Sequence, residues 1–535
     1  MSVPTTVQRT VLPEPVPDGA PRLLPYELAR YDACGYGRWS YGPGLPHERR
    51  LDLLQPAGSG DAGQAAPAGA APSRRLARFF VITDIHITDV QSPAQAILFG
   101  YKGFLSSAYS GVMLYTHRVL DAAVRTVNAL HADDPIDFGL SLGDTCNTTQ
   151  YNELRWYIDV LDGGRVDPDS GIKAGRESQP RAAFLDAYQA TGLDPAIPWY
   201  QARGNHDHFW TGFLRVDDYL RRTYTGETIL DLGNVFEDPL GPESRGFYMG
   251  CLDGRTEHGD IFGLGPVASF PEPPRVLAAD PDRRSLRPHE WVKEFFTTTT
   301  RPRGHGFSEE AAETGFGCYT FEPKPGVPLR VLVLDDTQRD DDPYDNGYGH
   351  VSLDEERVAW LHRELDRGQD DGVLMVVAAH CPIAVEQPPH PMAWSAFAHG
   401  SEADLLAKLH ACPNVVLWVA GHRHRNDVTP LPSPDPARPE LGFWQVETSS
   451  LRDFPQQLRT FDLQLSGDGT LSVFATGVDP VIEEGEPAWT SRTYAVAARQ
   501  IFDADVGFQP TGTYNAELVV PLPAQMKAKL AGTAA

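Results

Sequence analysis

The sequence predicts an α/β protein built in layers, and three observations carry that reading. Short apolar runs of strand length alternate with segments whose apolar residues recur at helical spacing. Several of the strand-like runs end in polar, chemistry-bearing motifs, which is where α/β folds build their sites. One long stretch, residues 209–326, instead loses periodicity and fills with Gly, Pro and Asp, the mark of a large irregular insertion.

Residues 1–55 form an N-terminal extension that carries Leu23, Leu24, Tyr26, Tyr31, Tyr36, Trp39 and Tyr41. These are too many large side chains for a free tail, so the extension is expected to pack on the main domain. Residues 56–78 read as a linker, because the run from 56 to 73 is mostly Ala, Gly and Pro and cannot bury enough surface to order itself.

The main domain is expected over residues 79–480. It opens with a β-branched and aromatic run, 78–83, read as a buried strand. A helix follows over 112–131, where Val112, Val119, Ala123, Val127 and Leu130 share a face. A strand at 136–142, helix-like segments at 153–162 and 181–191, and a strand at 196–202 come next. Within the insertion only 216–224 has helical patterning, and the insertion is expected to lie over the active face.

Regular structure resumes with a strand at 329–334, then a helix at 353–367 with Val358, Leu361 and Leu365 on one face. Strands at 373–378, 415–419 and 443–447 complete the pattern, and residues 481–535 read as a weakly patterned C-terminal extension.

With 41% hydrophobic and 22% charged residues, the 535-residue chain lies in the ordinary globular range. Its 72 acidic against 46 basic residues give a formal charge of −26, a field that repels phosphate backbones and anionic bilayers. That balance argues against long nucleic acid or a membrane as the main partner. The six cysteines are scattered singly and read as reduced thiols. The first seventeen residues lack a basic and then apolar leader, and no apolar run is long enough to span a bilayer, so a cytoplasmic location is expected.

Five motifs sit where predicted strands run out into loops: Asp84 with His86; Gly143-Asp144; Gly204 to Asp207, reading GNHD; His380; and Gly421 to His424, reading GHRH. In an extended segment residues i and i+2 project to the same side. Asp84 with His86, and His422 with His424, can therefore each offer two ligands to one small volume. Carboxylate, imidazole and amide oxygen together suit borderline divalent ions such as Mn, Fe or Zn better than Ca or Mg.

The ordered series DxH, GD, GNHD, H, GHxH resembles the signature of the calcineurin-like metallophosphoesterase superfamily, over about 340 residues. The resemblance implies a four-layer α/β/β/α sandwich of two mixed sheets flanked by helices, and it points to a bacterial branch with a large insertion. Its implied centre holds two divalent or mixed-valence ions. Asp84, His86 and His424 would hold one, Asn205, His380 and His422 the other, and Asp144 would bridge them.

The implied activity is hydrolysis of a phosphomonoester or small phosphodiester by a metal-bridged hydroxide. His206 would serve as general acid, with Asp207 fixing its orientation. Against the family's common GDxxD pattern this chain has Asn147 in place of the second acid.

Arg203, His208 and His305 are candidate substrate contacts, each with a plainer alternative as a paired or turn residue. His350 and Arg452 are more remote candidates of the same kind. Cys146 reads as a buried inert thiol, and Asp340, Asp341 and Asp342 as a solvated loop. Two other functions fit the same fold: a protein-binding scaffold without catalysis, which would be expected to lose ligands, and a metal-dependent nuclease, against which the acidic balance counts.

Overall fold

The computed structural model describes residues 3–54, 74–102, 109–171, 182–233, 244–337, 352–384, 401–502 and 513–532. The strands of its two large sheets are numbered in chain order. They are β1 (Glu48–Arg50), β2 (Arg74–Ile82), β3 (Phe138–Ser141), β4 (Trp199–Gln201), β5 (Tyr319–Phe321), β6 (Leu329–Leu334) and β7 (Leu374–Ala379). They continue with β8 (Val415–Ala420), β9 (Asp427–Leu431), β10 (Phe443–Glu447), β11 (Leu458–Leu465), β12 (Leu471–Val478) and β13 (Asn515–Val520). The helices around them include α1 (Thr116–Asp133), α2 (Tyr151–Asp162), α3 (Glu355–Asp370), α4 (Glu402–His410) and α5 (Pro487–Phe502).

One sheet has the order β1-β13-β12-β11-β2-β3-β4, the other β5-β6-β7-β8-β10-β9. Both are mixed: β2, β3 and β4 run parallel, as do β6, β7, β8 and β10, while β11 against β2 and β9 against β10 are antiparallel.

The side-chain period of two turns these sheets into layers. Phe79 and Val81 of β2 face inward onto Val331 and Val333 of β6, Leu374 and Val376 of β7, and Trp444 of β10. Their neighbours Phe80 and Ile82 face outward under Val119, Ala123 and Val127 of α1 and Leu154 and Ile158 of α2. On the other sheet Leu332, Met375 and Val377 face outward under Leu361 and Leu365 of α3 and Leu405 and Leu409 of α4. The buried indole of Trp444 donates to the Val519 carbonyl at 3.0 Å across the sandwich, which satisfies its one polar atom. The result is an α/β/β/α sandwich, in which the parallel strands of both sheets deliver their C-terminal ends to one rim.

Several sequence expectations need correcting. Strand β2 starts at Arg74, inside the segment assigned to the linker, because Arg74 and Arg75 pair in register with Leu465 and Gln464; residues 56–73 of that linker lie outside the described residues, as do Asp340 to Asp342 and His350. The helix expected at 181–191 is a short turn, Ala183–Leu185, followed by a strand, Tyr188–Gln189, paired with Arg165–Val166. Phe184 and Leu185 are drawn into a cluster with Tyr115 and Leu252, so tertiary burial overrides helix propensity there.

Residues 209–326 are less irregular than their composition implied. They carry an antiparallel sheet of Asp231–Leu232, Phe247–Leu252 and Ile261–Pro266, with helices at Asp218–Thr225 and Pro288–Glu294. The C-terminal segment is no appended tail, since β13 is inserted between β1 and β12. Helix α5 packs Tyr494 and Val496 against Leu23, Tyr31 and Tyr36 near the N-terminus. Among the described residues no helix is long and apolar enough to cross a membrane.

Candidate metal centre

The loop after β2 is zipped to the loop after β3. The amides of Asp84, His86 and Ile87 donate to the carbonyls of Gly143, Asp144 and Thr145 at 3.1, 2.9 and 2.8 Å. This continues the parallel pairing past the strand ends and places Asp84, His86 and Asp144 at one rim of the sandwich. Two glycines allow the remaining loops to close in: a Cβ on Gly204 would meet Asp144 Oδ1 at 2.2 Å, and one on Gly421 would meet Asp84 Oδ2 at 2.4 Å. Asp84, His86, Asp144, His422 and His424 all have left-handed backbones, with φ between 49° and 68°. Such conformations cost about 1–3 kcal/mol each outside glycine, so their concentration in one cluster marks it as functional.

The side chains form two sets around one carboxylate. In the first, His86 Nε2 lies 3.1 Å from His424 Nε2, and His424 Nε2 lies 3.3 Å from Asp84 Oδ1. In the second, His380 Nε2 lies 2.8 Å from Asn205 Oδ1 and 3.2 Å from His422 Nδ1. Asp144 Oδ2 stands between them, 3.6 Å from His86 Nε2 and 3.4 Å from His380 Nε2. The structure therefore brings together all seven residues that the sequence motifs singled out as ligands.

Whether these groups suit cations is decided by their tautomers and charge. His380 Nδ1 donates to the Leu142 carbonyl at 2.9 Å, which leaves the Nε2 lone pair facing the cluster. Asn205 Nδ2 donates to the Gly212 carbonyl at 2.9 Å, which turns its oxygen inward. Asp84 and Asp144 are buried, and among the described residues only histidines stand within ion-pair distance of them. Burial alone would lower the imidazole pKa values, yet Asp144 pushes His380 up to about 10, and Asp84 with Asp453 does the same for His424. Each set thus calls for one positive charge, and burial keeps His86 and His422 neutral and available as ligands. The residues fit a pair of nitrogen- and oxygen-ligated divalent ions.

His206 stands beside the cluster with its ring edge-on to His86, centroids 4.5 Å apart. Its amide donates to Asp144 Oδ1 at 2.8 Å, and its Nδ1 lies 2.8 Å from the Asn147 carbonyl, which leaves Nε2 directed elsewhere. The expectation that Asp207 orients this ring is corrected. Asp207 Oδ1 accepts from the amides of Thr145 and Cys146 at 2.9 and 3.0 Å, and Oδ2 from the amide of Gly204 at 2.9 Å. Its carboxylate is committed to tying the two loops together.

The three expected substrate contacts do not join the cluster. Arg203 is buried and donates to Asp335 Oδ2 at 2.8 Å and to the carbonyls of Gly315 and Pro288 at 3.1 Å each. His305 is buried flat on Trp199, centroids 3.6 Å apart, with Nδ1 3.0 Å from the Trp199 carbonyl and Nε2 2.8 Å from Thr298 Oγ1. Packing and these hydrogen bonds commit both side chains to structural contacts. His208 stacks on Phe209 and lines, with Arg203, Arg287 and Trp360, a separate cavity of about 800 Å³. Cys146 is a buried thiol that touches Thr145 and the Gln150 carbonyl.

Asp335 shows what this layer contributes to stability. Burial raises its carboxyl pKa, but Arg357, Arg203 and the Thr337 hydroxyl outweigh that and hold it below the ordinary value. The ion-pair stabilisation is therefore complete above about pH 4 and fades as pH falls toward the depressed value. Asp335→Asn leaves the buried Arg203 without its carboxylate partner and Arg357 with Asp354 alone, and is expected to cost about 3–5 kcal/mol in urea unfolding; a loss below about 1 kcal/mol would contradict this role.

Sequence reasoning missed Asp453 and Asp336, although both follow strands of the same rim. Asp453 Oδ2 lies 2.6 Å from His424 Nδ1, the carboxylate–histidine arrangement that fixes a ligand's tautomer. Asp336 Oδ2 accepts from the Cys381 amide at 2.8 Å, beside His380. Asp453→Asn is expected to weaken metal affinity about 10–100-fold, read by competition with a chelating dye. Unchanged affinity would remove Asp453 from the centre.

Residues 77–332 match the Calcineurin-like phosphoesterase family. The match to the calcineurin-like phosphoesterases spans Asp84, His86, Asp144, Asn205 and His206; His380, His422 and His424 lie beyond it, and the fold itself brings them to the same rim. No curated protein matches the chain in sequence. Among solved structures, a dimetal phosphatase from Danio rerio aligns over 76% of this chain and 98% of its own, at 11% identity and a TM-score of 0.37. GAP50, the anchor in the inner membrane complex of Plasmodium, aligns over 84% and 98%, at 11% identity and a TM-score of 0.30.

Proposed function

We propose that the chain is a metal-dependent hydrolase of a phosphomonoester or small phosphodiester. One observation carries this reading: Asp144 Oδ2 stands at nearly equal distance, 3.6 and 3.4 Å, from the inward nitrogens of His86 and His380, one in each ligand set. Asp84, His86 and His424 would hold one ion, and Asn205, His380 and His422 the other. When bound, such a pair neutralises phosphoryl charge and makes water nucleophilic at neutral pH.

The chain's own residues supply the rest. Asp144 spans the two sets and, by accepting from the His206 amide, ties the proton-donor candidate to them. Asn205 contributes an oxygen without a charge, which preserves the positive field a phosphate needs. His206, held through Nδ1, presents Nε2 for a proton to the leaving oxygen. A scaffold would have no need of this last group. The formal charge of −26 favours small substrates over polymeric nucleic acid.

The test is a screen of aryl phosphate monoesters and diesters with protein reconstituted in turn with Mn, Fe and Zn. Hydrolysis that follows metal loading supports the reading. A fully loaded protein inert toward every ester would overturn it, and salt-sensitive tight DNA binding would replace it with the nuclease.

A further inference from the structure

Arg452 is an unusual residue for the interior. It is fully buried, and among the described residues no carboxylate stands within ion-pair distance of its guanidinium. Among the described residues its side chain makes one hydrogen bond, from Nη1 to Asn147 Oδ1 at 2.6 Å, and Nε and Nη2 have no partner there. Burial lowers its pKa to about 10, so it remains charged at neutral pH. Burying a charge with so little compensation is costly, whereas a well-packed apolar side chain would fill the same space without that cost. The arrangement needs a reason other than packing.

Its single partner supplies one. Asn147 is the residue whose backbone carbonyl stands 2.8 Å from His206 Nδ1. The Asn147 amide is anchored to the Ile87 carbonyl at 3.0 Å and to Glu153 Oε2 at 3.1 Å, so the peptide is held from one side by its neighbours and from the other by Arg452. Arg452 is itself fixed at its amide by Ser450 Oγ at 2.8 Å, and that hydroxyl donates to the Asp84 carbonyl at 2.7 Å. The next residue is Asp453, the partner of His424. The 450–453 loop therefore grips the first ligand set directly and His206 through Asn147.

We propose that Arg452 is a positioning residue for His206, acting through the side chain of Asn147 to hold the carbonyl that fixes the imidazole's tautomer and direction. This rests on His206 being the proton donor of the proposed phosphoesterase. In place of a carboxylate paired with the donor histidine, this chain uses a backbone carbonyl whose peptide is clamped by a buried arginine. The charge of Arg452 thus reaches the reaction without touching substrate or metal.

The experiment compares metal-reconstituted wild type, R452M, R452K, H206A and the R452M/H206A pair on two substrates, an aryl phosphate with a good leaving group and an alkyl phosphate with a poor one. R452M is expected to lower kcat about tenfold on the aryl ester and about a hundredfold on the alkyl ester, where protonation of the leaving group matters more, with KM and metal content unchanged. It is expected to have no further effect when His206 is already Ala, and R452K is expected to recover part of the loss.

Equal losses on both substrates, a loss that persists in the H206A background, or a fall in metal content would each overturn the proposal. Should R452M fail to fold, R452K carries the same comparisons, because it keeps the charge but not the planar donor geometry. Nitrogen-15 shifts of the His206 ring give a readout independent of turnover. Wild type is expected to hold the Nδ1–H tautomer, and R452M to lose that preference. An unchanged tautomer in R452M would sink the positioning role, whereas an inactive wild type with the expected tautomer would sink only the phosphoesterase reading.

Discussion

Asp144→Asn is expected to remove metal and activity together. Asp144 Oδ2 faces His86 Nε2 at 3.6 Å and His380 Nε2 at 3.4 Å, while Oδ1 accepts the His206 amide at 2.8 Å. A carboxylate can satisfy all three demands because it has two equivalent oxygens and a full charge. An amide has one good acceptor oxygen, no charge, and two donor hydrogens that would point at ligands or at the His206 amide. Loss of several kcal/mol of charge stabilisation corresponds to a fall of about a thousandfold or more in kcat/KM. Parallel metal analysis and kinetics check the result. A variant that kept full metal content and hydrolysed an aryl phosphate like wild type would show that Asp144 does not connect the two sets.

His206→Ala is expected to separate the two properties that Asp144→Asn loses together. The His206 backbone amide, which contacts Asp144, survives the substitution, and neither ligand set depends on the His206 ring. Metal content should therefore remain that of wild type, while kcat falls about 10²–10⁴-fold, the range for losing a positioned general acid. The deficit should be larger for poor leaving groups, which need the proton more. Loss of metal in this variant would reassign His206 to the ligand set. Undiminished kcat would leave the site without a proton donor among the residues that touch it.

Much of the centre was legible because its logic is local. Asp84 and His86 follow β2, Asp144 follows β3, Asn205 and His206 follow β4, and His380 follows β7 by a single residue, so each candidate residue lies within a few positions of a strand recognisable by its apolar run. The alternation of 79 to 82 and 331 to 334 between the inner and outer layers likewise follows from the period of two. Asp336 lies just past β6 and Asp453 in the loop beyond β10, but neither stands in a motif, and an acid in a loop carries no sequence mark of the histidine it meets in space.

What escaped depends on distant partners. Arg203 lies next to the GNHD motif, yet the acid that claims it, Asp335, is 132 positions away. The role of Asp207 is set by amides of the Gly143 to Cys146 loop, and backbone donors leave no trace in a side-chain pattern. The segment at 181–191 has helix-forming composition, but Phe184 and Leu185 are captured by Tyr115, a contact across the fold. Strand β13 was hidden in an unpatterned tail because it inserts between β1 and β12 and is covered on both sides, which removes the alternation that would have revealed it.

The two ligand sets are proposed to be joined by one carboxylate, that of Asp144. Electron paramagnetic resonance of the wild-type protein loaded with two equivalents of Mn(II) tests it most directly, because ions that share Asp144 are close enough to couple magnetically. The expected spectrum is that of an exchange-coupled pair, lost in Asp144→Asn. A spectrum of isolated, uncoupled ions in the fully loaded wild-type protein would contradict the account.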